Sequence, residues 1–149
     1  MFDTIAGLPL HPLVVHAVVV GIPVMSLVTV AVAVRRPPQV WLWLVVAANT
    51  GLLAITAVAK EAGQELEDRV GEEAVAVHSE LGEKMPYFVV GLLFASLLVA
   101  LVRRREGLGR LVLVVAVVAA VAAVVWVVRV GDSGSRAVWE ELVEFTNEQ

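Results

Sequence analysis

Three histidines and one aspartate are the side chains of this chain best suited to hold a cofactor. His11 and His16 lie in "GLPLHPLVVH" (7–16), His78 in "HSELG" (78–82) and Asp132 in "GDSG" (131–134). Neutral imidazole is the commonest metal ligand, and a carboxylate completes many zinc and non-haem iron sites. His11 and His16 do not form a helical metal pair, because five residues turn a helix by roughly 140° and place them on different faces. They converge only if His11 lies ahead of the helix proper. Pro12 argues for that, since a proline pushes the residue before it out of the α region. His11 is therefore expected to cap the first helix from outside, and His16 to point into the interior one turn down. The chain has no cysteine, which removes disulfides, c-type haem attachment and cysteine-ligated iron–sulfur clusters.

Other chemistries are excluded. "GDSG" resembles a serine-protease nucleophile loop, but a triad needs a scaffold that buries its base and acid, and no soluble region here is large enough. The glycines are expected to end the last helix, with Asp132 and Ser133 beginning a tail. No phosphate-binding loop and no helix-borne HExxH is present. The basic residues cluster in short turns, which argues against nucleic-acid binding.

The elements that position these residues are membrane spans. Of the 149 residues 59% are hydrophobic and 17% charged, with mean hydropathy +0.85, and the excess lies in long Val/Leu/Ala runs. Four runs suffice to cross roughly 30 Å of hydrocarbon, at about 12–34, 41–59, 86–102 and 111–128 of one integral membrane domain (1–149). The expected fold is all-α: four transmembrane helices in two hairpins, with a short outer helix between spans 2 and 3 in segment 60–85, and an outer tail at 129–149. The turns "RRPP" (35–38) and "RRREGLGR" (103–110) hold six arginines against one acid, a balance of +5, while the remaining non-span segments carry −9. The positive-inside rule puts both turns in the cytoplasm and both termini outside, so the protein is expected to be multi-pass in the inner (plasma) membrane. All three histidines and Asp132 then lie on the outer side. "AVA" at 31–33 resembles a signal-peptidase site, but the run is too long for a signal peptide and lacks a basic start.

Within the spans, Asn49 and Thr50 are expected to bond between helices, and Gly21, Gly51 and Gly91 to allow close helix approach. Pro23 can kink the first span. Lys60 is a snorkelling anchor that could also meet an anionic group. Trp41 and Trp43 fit an inner aromatic belt, and Tyr87 and Trp126 an outer one. "VVGIPVMSL" (19–27) and "VVGLLFASL" (89–97) share a frame, a candidate trace of a duplicated hairpin. In the tail, Val138, Leu142 and Phe145 share one helical face.

"GLPLHPLVVHAVVVGIP" (7–23) closely resembles the opening motif of the DUF2231 family of small bacterial membrane proteins, and "HSELG" (78–82) and "GDSGSRAVW" (131–139) resemble its later motifs in the same order. The resemblance implies four spans and carries His11, His16 and His78 onto family positions. Many relatives read GHSG in the last motif, whereas this chain has Asp132, a residue that suits zinc or non-haem iron better than low-spin haem. Some relatives are joined to Rieske or c-type cytochrome domains, which implies a place in membrane electron transfer.

Two functions follow as expectations. One is a haem- or metal-binding subunit of membrane electron transfer, working with redox partner proteins. His16 and His78 would bind the cofactor, and His11 or Asp132 would complete or orient the shell of a haem b or divalent metal. The other is a non-catalytic anchor or partner-binding protein without a cofactor, for which the acidic outer segment and the tail supply a surface. Contact with the lipid bilayer is common to both, and homo-oligomers are compatible with both. A transporter or proton relay has little support, because no ionisable residue lies mid-span.

Overall fold

The computed structural model describes residues 4–5, 8–70, 72–102 and 107–147. A two-residue antiparallel pairing of β1 (Thr4–Ile5) with β2 (Leu8–Pro9) precedes four long helices: α1 (Leu10–Arg35), α2 (Gln39–Val70), α3 (Glu72–Val102) and α4 (Gly109–Asn147). Each helix is long and apolar enough to cross a membrane, over Val14–Arg35, Gln39–Asp68, Val75–Val102 and Gly109–Ala137. They run up and down around a ring. α1 and α3 each pack on both α2 and α4, and α1 also touches α3 across the middle. Outward faces carry Val20, Leu27, Leu101, Val118 and Val121, the apolar surface that lipid contacts.

The core has two apolar clusters. Toward the histidine end lie Val18, Ile22, Leu52, Ala59, Met85, Val89, Ala123 and Val127. Toward the arginine end lie Leu42, Val46, Ala95, Val99, Ala100 and Ala116. α4 presents small residues at Ala116, Ala120 and Ala123, which lets its neighbours approach closely. Gly21 does the same on α1, where an added Cβ would meet Leu52 Cδ1 at 2.9 Å, whereas Gly51 and Gly91 face open space. At the first arginine turn Arg36 takes φ +48° and its N–H returns to Val32 O at 3.0 Å, closing α1 in the left-handed form that Pro37 and Pro38 then make final. Of the second turn, Arg103, Arg104, Arg105 and Glu106 lie outside the described residues.

Three expectations need correction. No separate short helix lies between spans 2 and 3: α2 and α3 themselves extend through the polar segment. At 32 and 31 residues they reach about 45 Å, well beyond the hydrocarbon. Their extensions are joined by Gln64 Nε2–H to Glu83 Oε1 at 3.2 Å and Ser79 Oγ–H to Glu67 Oε2 at 2.5 Å. α3 continues through Pro86, whose missing N–H takes away the helical hydrogen bond to the carbonyl of Gly82. Nor does "GDSG" end α4, which continues to Asn147; within it Asp132 pairs with Arg136 at 2.9 Å one turn on, and Ser133 and Ser135 bond back to Val130 and Asp132. Trp126 belongs to an interhelical contact rather than to a belt: its Nε1–H donates to Leu81 O at 3.0 Å and its ring stacks on Phe88. Tyr87, Trp41 and Trp43 are exposed as a belt requires. The tail positions Val138, Leu142 and Phe145 are on helical backbone, but their side chains lie outside the described residues.

Candidate functional site

Two histidines meet at one end of the bundle. The rings of His11 on α1 and His78 on α3 stand edge to face, 6.2 Å between centroids at 80°. Each is fixed by the helix next to its own. His11 Nδ1–H donates to Ala59 O of α2 at 3.1 Å, and His78 Nδ1–H donates to Val130 O of α4 at 3.0 Å. A carbonyl can only accept, so Nδ1 carries a proton in each ring, and in the neutral form of the ring Nε2 then carries the lone pair. Among the described residues neither Nε2 has a hydrogen-bond partner. An Nδ1–H held by a backbone carbonyl is the arrangement that orients metal-binding histidines.

Both rings rest on glycine. A Cβ at Gly63 would lie 3.0 Å from His11 Cε1, and one at Gly134 would lie 2.9 Å from His78 Cε1. The spacing has a geometric cause. In an α-helix the carbonyl of residue i faces the N–H of residue i+4, so a ring that reaches Ala59 O must lie beside residue 63, and one that reaches Val130 O beside residue 134. Any side chain there would push the ring off its acceptor. Sequence reasoning missed both glycines. A signal was present, since "AKEAG" (59–63) and "VGDSG" (130–134) align at corresponding places in the second and fourth helices.

The other expected site residues lie apart from this pair. His16 is on the exposed face of α1, so it does not point into the bundle, and it does not line the cleft around the histidines. Asp132 is 60% exposed and paired with Arg136, although its neighbour Ser133 does reach the site, with Oγ 3.3 Å from His78 Nδ1. His11 does not cap its own helix, which begins at Leu10; its ring reaches across to α2. The cleft beside the pair is open on one side and encloses about 120 Å³. Val15, Val18, Met85 and Val127 form its apolar walls, with Lys60 and Glu67 among its polar groups. Burial, together with the nearby His78, outweighs the Ala59 hydrogen bond and holds the His11 pKa below its usual value of 6.5, which keeps the ring neutral.

Residues 7–147 match the family described as predicted membrane protein (DUF2231). The chain belongs to that family. No curated protein and no solved structure matches it. Its match to DUF2231 spans both histidine-bearing helices and both glycines on which the rings rest.

Proposed function

We propose that this DUF2231 protein is a haem-binding subunit of membrane electron transfer, with His11 and His78 as the two ligands of a haem b at the outer face of the cytoplasmic membrane. One observation carries the reading: two imidazoles from different helices approach to 6.2 Å, each anchored through Nδ1. Two imidazoles that share one metal at about 2.0–2.1 Å per nitrogen have ring centres up to roughly 6.4 Å apart, the limit reached when they lie on opposite sides of it.

The donor set favours haem over a bare divalent ion. Zinc takes three or four protein ligands, and among the described residues no group of three or more His, Cys, Asp or Glu converges. Haem would need only one or two protein ligands, which His11 and His78 would provide. When bound it supplies a one-electron couple. The protein's part is to hold both rings in one tautomer through Ala59 and Val130, to keep His11 neutral by burial, and to exclude water with Val15, Val18, Met85 and Val127. Lys60, in the same cleft, suits an anionic edge of the bound molecule. The arginine turn at the opposite end supports an outward-facing site.

The test is haem titration of the detergent-purified protein. A Soret band at one haem per chain is expected, lost in His11→Ala and His78→Ala and kept in His16→Ala. Absence of haem uptake by the folded wild-type protein would overturn the reading and leave the anchor function, for which exposed Trp139 beyond the fourth span offers a contact.

A further inference from the structure

A second polar site lies deep in the bundle, between the two apolar clusters. Ser26 and Thr29 of α1, Asn49 of α2 and Ser96 of α3 are all fully buried. Their layer is closed from the histidine cleft by Ile22 and Leu52, each about one turn nearer that cleft along its own helix, and by Val89, about two turns nearer along α3. Most of the polar atoms are accounted for. Asn49 Nδ2–H donates to Thr29 Oγ1 at 3.2 Å, and Ser96 Oγ–H returns to Leu93 O at 2.7 Å. Two are not: among the described residues Ser26 Oγ and Asn49 Oδ1 have no hydrogen-bond partner, although Ser26 is 2% and Asn49 0% exposed.

Neither orphan is trivial. Thr50, Thr56, Ser96 and Ser133 all turn their hydroxyls back onto their own helices, as serine and threonine ordinarily do in spans, yet Ser26 does not. Flipping the Asn49 amide exchanges its oxygen and nitrogen but leaves one end unpaired either way. Ser26 lies three residues from Thr29, a separation of about 5–6 Å on one helix face, and Thr29 is bonded to Asn49. Ser26 Oγ, Thr29 Oγ1 and Asn49 Oδ1 together match the about three partners that a buried water typically takes.

We propose that Ser26, Thr29 and Asn49 form a binding site for a single ordered water in the middle of the bundle. The site holds only neutral oxygens and an amide among the described residues, so water fits it better than a cation. It satisfies polar groups that lipid cannot and ties α1 to α2 where the apolar core is interrupted.

The experiment is a crystal structure of the wild-type protein at a resolution that orders internal water, from crystals grown in sodium and in choline salts. One density peak within hydrogen-bond reach of Ser26 Oγ and the Asn49 amide in both salts is expected, and its loss in Ser26→Val, whose larger side chain fills the space. The proposal is overturned by a direct Ser26–Asn49 bond, by a site without density, or by a peak present in sodium and absent in choline, which would mark a cation. The wild-type crystals decide the matter even if Ser26→Val does not fold.

Discussion

The two hairpins solve one problem with different residues. In the first, His11 reaches the Ala59 carbonyl and rests on Gly63; in the second, His78 reaches the Val130 carbonyl and rests on Gly134. The residue just before the glycine differs. It is Ala62 in the first hairpin and Ser133 in the second, and the Ser133 hydroxyl donates to Val130 O at 2.9 Å while lying 3.3 Å from His78 Nδ1. What the two share, a carbonyl and a glycine four residues on, is the minimum needed to dock a ring against a helix. What differs adjusts one ring without being required for the other.

The largest expected effect tests whether the halves are equal ligands. His11→Ala and His78→Ala should each abolish tight haem uptake, and a variant that still bound haem as the wild type does would show that only one half serves. Next come the glycines. Gly63→Ala and Gly134→Ala should each destabilise the bundle by about 1–3 kcal/mol through overpacking and weaken haem binding about 10–100-fold by displacing an oriented ring. Thermal unfolding and haem titration measure both, and equal losses would confirm that the two docks are equivalent.

Acidity separates the halves more gently. The His11 pKa lies below 6.5 in the folded protein, so its contribution to stability is complete above pH 6.5. It is lost as pH falls through the folded value, because the unfolded chain takes up the proton first. The unfolding temperature of the wild-type apoprotein should therefore drop below pH 6.5, and His11→Gln should flatten that slope.

Smaller still is the serine asymmetry. Ser133→Ala makes the second hairpin resemble the first and should cost about 0.5–1.5 kcal/mol, with haem affinity changed little. The smallest effect is at Asp132. Its pair with Arg136 is exposed, so Asp132→Asn should shift stability by under about 0.5 kcal/mol and leave haem uptake as it was. A large loss of haem in that variant would return the carboxylate to the site.

Much of the architecture was legible in the sequence. The four apolar runs, the arginine turns and the gathering of all three histidines toward one end follow from composition and charge. The pairing of histidines was not legible, and α1 explains why. It is apolar on every side, so its pattern does not say which face turns inward; spacing alone points His16 inward, and it lies on the exposed face. The glycines of "GDSG" illustrate the opposite limit. Glycine favours a helix end as a local signal, but α4 continues past it, and Gly134 there lies under the His78 imidazole of another helix.

By itself the sequence determined that four helices span a membrane, because each long apolar run is stable only in lipid and must satisfy its own backbone there. It also determined that the arginines collect at the turns and the histidines away from them. Tertiary structure alone decided that His11 meets His78, that Ala59 and Val130 set their tautomers, and that Gly63 and Gly134 make room. These are contacts between helices, fixed by how close two backbones come and which faces oppose, and the local order of residues along one helix does not specify them.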